Sequence, residues 1–100
     1  MAADQGVAIA QLALGNSYRD GQGVPQDDRE AVKWFQLAAE QGHYPAQINL
    51  GTMYRKGRGI PQDYETAMNW YTPAAEQGIA LAQFKLATMY RKGQGIPKDD

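Results

Sequence analysis

No cysteine occurs in this sequence, which excludes disulfide staples, thiolate metal sites and cysteine nucleophiles together. The same absence assigns no compartment, because a packed helical array needs no disulfides. His43 is the only histidine; a lone surface imidazole is ordinarily solvated, and no second one exists to share a metal. No run of about 18 apolar residues is present, and the opening MAADQG lacks a basic-then-apolar signal segment, so no membrane insertion is expected. The net charge of -1 gives no global field that would pull the chain onto nucleic acid or an anionic membrane. Nucleic acid is therefore not an expected partner. What remains is a composition that folds: 43% of the 100 residues are hydrophobic, enough for one domain or a few turns of a repeat array.

The strongest signal is internal. Residues 7–42 match residues 43–78 at 18 of 36 positions, and the pattern runs on to residue 100. Tyr18 aligns with Tyr54 and Tyr90, Pro25 with Pro61 and Pro97, Trp34 with Trp70, and Gly42 with both Gly6 and Gly78. A period of this length indicates stacked supersecondary units, each too small to bury its apolar face alone. The chain reads as one repeat domain over 1–100: a tail of a preceding unit at 1–6, units at 7–42 and 43–78, and a partial third at 79–100.

Each unit reads as two antiparallel helices joined by short connections, so the fold class is all-α. The first helix runs from about residue 8 to 20, with Ala10, Leu14, Ser17 and Tyr18 on its inward side. It recurs with Ala46, Leu50, Met53 and Tyr54, and again with Ala82, Leu86, Met89 and Tyr90. Gly15, Gly51 and Ala87 are small positions that permit close helix approach. The second helix runs from Asp28 to Gln41 and from Tyr64 to Gln77, with Ala31, Trp34 or Phe35, and Ala38 facing inward, matched by Ala67, Trp70 or Tyr71, and Ala74. Five helices are predicted, the last an unpaired first-type helix. The incomplete end units would expose apolar surface, through which self-association is an expectation.

Between the two helices of a unit stand RDGQGVPQD, RKGRGIPQD and RKGQGIPKD. Two glycines beside basic residues suggest an anion cradle, but a phosphate loop needs its lysine and hydroxyl after the last glycine, at a strand-to-helix turn. Here the simpler reading is a hinge. Gly57 ends one helix, Gly59 turns the backbone, Pro61 blocks continuation and Asp63 caps the next helix. Asp27 and Asp99 repeat the cap, and Glu30 completes a capping-box pattern with Asp27. Gly42 and Gly78 are expected to end the second helices in a left-handed conformation. Pro73, aligned with Leu37 inside a second helix, reads either as a tolerated kink near the helix end or as a device that shapes a binding surface.

The pattern A-Q-x-x-L-G-x-x-Y-x-x-G-x-G-[VI]-P-x-D, followed by A-x-x-W and A-A-E-Q-G, resembles the Sel1-like repeat family, a relative of tetratricopeptide repeats. The resemblance implies a right-handed α-solenoid with the first helices lining a concave surface. It also implies an adaptor that holds protein partners. Some members are linked to cell-wall or β-lactam chemistry, but these carry paired cysteines that this chain lacks, so a hydrolase is the alternative rather than the leading expectation.

No motif implies a cofactor, and the recurring acids are explained by capping. The candidate partner surface is a stripe on the first helices, on the side away from Leu14 and Tyr18. It takes in Leu12, Asn16 and Arg19, then Ile48, Thr52, Arg55 and Lys56, then Phe84, Thr88, Arg91 and Lys92, with Ile9, Asp20 and Leu81 beside them. Its apolar position changes from Leu12 to Ile48 to Phe84, and its charged residues are five bases and one acid. Two readings stand. The stripe is a groove for an extended or helical peptide that favours acidic residues; or Leu12, Ile48 and Phe84 pack between first helices while the bases answer negative helix C-termini.

Overall fold

The structure is a computed structural model that describes residues 2–95. Five α-helices occupy them: α1 (Ala2–Asp20), α2 (Asp28–Glu40), α3 (Tyr44–Lys56), α4 (Tyr64–Glu76) and α5 (Ala80–Lys92). No strand is present among the described residues, and no helix there is long and apolar enough to cross a membrane. Each helix packs on the next along the chain. The molecule measures 47 × 31 × 17 Å, the thin dimension being that of two helix layers with axes about 8–10 Å apart.

The layers meet where a small residue faces an aromatic ring. Phe35 and Tyr71 are fully buried, which settles which aromatic of each second helix enters the core. A Cβ on Gly15 would stand 2.5 Å from the Phe35 ring, and one on Gly51 would stand 2.7 Å from the Tyr71 ring. The missing side chain is thus the space the ring occupies. The tryptophans are half-buried instead, with Trp70 packed against the first core cluster from its edge.

The hinge motif has the expected chemistry and one further function. Gly57 sits at φ +68°, and the amides of Gly57 and Arg58 donate back to Tyr54 and Met53 carbonyls at 3.3 and 3.0 Å. Carbonyls that the last turn leaves open are thereby satisfied. The Asp63 carboxylate accepts from the Thr66 amide at 3.1 Å and its hydroxyl at 2.9 Å, while Asp27 accepts from the Arg29 and Glu30 amides at 3.0 and 3.2 Å. The second glycine, Gly59, carries the stacking: a Cβ there would stand 2.4 Å from the carbonyl oxygen of Asp28 in the unit before. Arg58 reinforces the contact, its guanidinium gripping the Asp28 carboxylate at 2.9 and 3.2 Å. The recurring glutamine of the A-Q pair does the same elsewhere, Gln47 donating to Ala39 O at 3.3 Å and Gln83 to Ala75 O at 3.1 Å.

Four expectations are corrected. The helix begins at Ala2 rather than near residue 8, and Gly6 lies within it, whereas Gly42 and Gly78 end their helices at φ +83° and +84°. The capping box at Glu30 does not close, because the Asp27 amide already donates to Tyr18 O at 2.8 Å and Glu30 pairs with Lys33 at 3.2 Å. Leu14 is 40% exposed although Leu50 is fully buried. Leu50 belongs to a cluster built with α2, and no described element covers the matching side of α1. Tyr90 is 57% exposed for the complementary reason, since no second helix follows α5 among the described residues. The cap expected at Asp99 lies outside the described residues.

Pro73 stays within α4. It removes the amide that would reach the carbonyl of Asn69, an exposed residue. The Gln77 amide still closes the last turn on Pro73 O at 3.2 Å.

Overpacking at the ring contact makes Gly51→Ala less stable by about 1–3 kcal/mol. The hinge offers an internal control. Gly23 and Gly59 both have positive φ, yet a Cβ on Gly23 meets nothing within 4 Å. Gly23→Ala should cost only the left-handed penalty of about 1–2 kcal/mol, and Gly59→Ala clearly more. Equal thermal midpoints for the two variants would contradict the stacking role of the second glycine.

Candidate functional site

The first-type helices α1, α3 and α5 share one side of the molecule, where a groove of about 360 Å³ is lined from α1 by Arg19 and Asp20, from α3 by Ile48, Asn49, Thr52, Met53 and Lys56, and from α5 by Leu81 and Lys85, with Arg58 at its edge. A smaller hollow of about 150 Å³ adjoins it between α3 and α5, lined by Arg55, Leu81, Phe84, Lys85, Thr88 and Met89. No α4 residue, Pro73 included, lines either one.

The candidate residues of the stripe separate into four groups. Leu12 packs half-buried against the first core cluster, and Ile48 is 4% exposed within the second. These two are stacking residues, and Ile48 also lines the groove. The position faces the next unit, so only Phe84, 64% exposed, presents its side chain to solvent. Asn16 accepts from Asn49 Nδ2 at 3.2 Å and ties α1 to α3. Arg19, Thr52, Arg55, Lys56, Phe84 and Thr88 line the groove or the hollow, whereas Arg91 and Lys92, exposed in the last turn of α5, line neither.

Core chemistry positions two of these residues. Thr52 Oγ1 lies 3.0 Å from Ile48 O and 2.8 Å from the Tyr71 hydroxyl, which in turn lies 3.4 Å from Arg55 Nε. Arg55 donates to Tyr71, Tyr71 to Thr52, and Thr52 to the Ile48 carbonyl, so one proton per group satisfies the whole relay. In the first unit the ring is Phe35, with no hydroxyl, and the Arg19 guanidinium instead lies 5.7 Å above its centroid.

The charges are unevenly neutralised. Arg19 bonds Asp20 at 3.0 and 3.2 Å, and that hydrogen bonding holds the Asp20 carboxyl below its usual range. Arg58 is paired with Asp28. Among the described residues no carboxylate lies within ion-pair distance of Arg55, Lys56 or Lys85. Burial lowers the affinity of Lys85 for its proton, and the nearby charges of Arg55 and Lys56 lower it further. Lys85, Asn49 and Arg58 are site residues that the stripe omitted. Lys85 aligns with Asn49 and Ala13, a position that varies between units as much as Leu12, Ile48 and Phe84 do. That variation was the available signal; the meeting of Lys85 with α3 was not, because a single helical wheel does not show the neighbouring helix.

A stack of antiparallel helix pairs with a groove on its first helices defines an α-solenoid repeat protein. The Sel1 repeat model matches residues 8–43, 45–79 and 80–100, and the chain belongs to the Sel1 repeat family. Two solved structures share the solenoid architecture. A protective antigen present in uropathogenic Escherichia coli strains, displaying an SLR fold, is 42% identical with a TM-score of 0.90; the match covers 98% of this chain and 21% of that one. A Sel1 repeat protein from Oxalobacter formigenes is 42% identical with a TM-score of 0.86, covering 98% of this chain and 40% of that one. The chain therefore spans less than half the length of either relative. Among curated proteins none matches.

The basic cluster makes a stability prediction. Lys85→Gln removes a partly desolvated cation from beside two others and should raise the thermal midpoint at neutral pH. The folded state releases the Lys85 proton below its ordinary value of 10.5, so wild-type stability recovers as pH rises toward 10.5 and the variant's advantage narrows. Midpoints measured across that window check both the sign and the trend.

Proposed function

We propose that this chain is a non-enzymatic scaffold, with units at 7–42, 43–78 and 79–100, that holds a partner protein or peptide on the surface formed by α1, α3 and α5. The observation that carries the reading is the groove and adjoining hollow those helices line, with the exposed Phe84 and Leu81 next to Arg55 and Lys56, which have no ion-pair partner among the described residues. Apolar contact supplies affinity there, and the charges orient and select. Sel1 repeat proteins are generally protein-interaction scaffolds, which agrees with the reading. The cell-wall or β-lactam hydrolase alternative gains no supporting observation. Asp27 and Asp63 are engaged as helix caps, His43 sits at the start of α3 with no side-chain cap bond, and no metal-binding cluster of acids and histidine exists among the described residues.

Phe84→Ala and Arg55→Glu should each weaken capture of the natural partner about tenfold while leaving helix content unchanged by circular dichroism. Undiminished capture by both variants would remove the groove from the account. Self-association through the apolar end faces, Leu14 on α1 and Tyr90 on α5, is a separate expectation. Light scattering that gives a constant monomer mass over concentration would rule it out.

A further inference from the structure

We propose that Arg55, Lys56 and Lys85 form a receptor for the carboxylates of an acidic peptide segment, with Leu81 and Phe84 taking an apolar side chain beside it; this rests on the scaffold reading and specifies its ligand. Three cations from two helices converge where the groove meets the hollow. The other bases of the groove, Arg19 and Arg58, are answered by Asp20 and Asp28 from this chain. These three have no such answer among the described residues. Like charges gathered at a partly desolvated surface oppose folding, and an anionic ligand relieves that opposition while gaining from the same desolvation.

Arg55 is held for the task by its bond to the buried Tyr71 hydroxyl, so less side-chain freedom is lost when it binds. Leu81 is 53% exposed and Phe84 64% exposed, both on the α5 side where Lys85 sits. An extended segment places alternate side chains on one face about 6–7 Å apart. A glutamate or aspartate two residues from an apolar side chain would then meet the cations and the Leu81–Phe84 patch together. A nucleic acid fits less well, because with a net charge of -1 the chain has no overall field that draws a polyanion.

The probe is a fluorescent peptide of repeated Glu-Ala-Leu triplets, compared with its Gln-Ala-Leu counterpart and with labelled oligouridylate, titrated by anisotropy at low and moderate salt. The acidic peptide should bind at least about tenfold more tightly than the neutral one, lose that margin on adding salt, and lose it also in Lys85→Glu and Lys56→Glu. Both variants relieve repulsion, so their thermal midpoints should equal or exceed the wild type, which separates lost binding from lost folding. Equal binding of both peptides that Phe84→Ala weakens would overturn the acidic receptor and leave the scaffold reading intact. Binding of neither peptide would overturn the receptor and count against the groove itself. Tighter binding of oligouridylate than of the acidic peptide would overturn the assignment of ligand class.

Discussion

The seating of the Tyr71 ring against Gly51 is the contact on which most of the structure depends. A second helix can lie this close to a first only where the facing residue has no side chain, and a Cβ at Gly51 would stand 2.7 Å from the ring. Once seated, the ring is fully buried and its hydroxyl must find partners, since an unsatisfied buried hydroxyl costs about 1–3 kcal/mol. Thr52 and Arg55 supply them. Core packing therefore fixes a guanidinium at the edge of the groove, and the charge of that surface is an outgrowth of the interior.

Within a unit the ring contact holds the helices together; between units apolar packing, as of Leu50 on the α2 cluster and of Ile48 in one cluster with Ala82 and Met89, is joined by polar groups and by a second glycine. Gly59 lets its loop press on the Asp28 carbonyl, Arg58 grips the Asp28 carboxylate, and Gln47 and Gln83 each donate to a carbonyl near the end of the preceding second helix. None of these contacts can form inside one unit. Equivalent residues accordingly have unequal fates. Leu50 is fully buried in a cluster shared with α2, while Leu14 is 40% exposed because no second-type helix precedes α1 among the described residues.

The surface of the first helices combines positions with opposite energetic signs. Leu12 and Ile48 contribute to packing, and Asn16 and Asn49 join neighbouring helices. The cluster of Arg55, Lys56 and Lys85 does the reverse, since bringing like charges together at a partly desolvated place disfavours the folded state. Functional surfaces commonly carry such a local cost. The asymmetry between the units follows from it: where the first unit closes Arg19 on Asp20, the second has Lys56 in the position of that acid.

Periodicity, capping residues and small-to-large complementarity are local properties, and the sequence alone determined what rests on them: two-helix units repeating at 36 residues, the hinge made by Gly57, Gly59, Pro61 and Asp63, and the all-α class. It also located the first helices as the face to watch, because Phe84 stands where Leu12 and Ile48 stand. What only the tertiary structure decided depends on contacts between units. Ile48 proved to be a stacking residue, Phe35 and Tyr71 rather than the tryptophans entered the core, and Gly59 served the neighbouring unit as well as its own turn. Lys85 joined Arg55 and Lys56 only when α5 was laid beside α3. A helical wheel carries the angle of a residue about its own axis and nothing about the helix that arrives next to it, and that is why the charge cluster could not be seen before the stack was built.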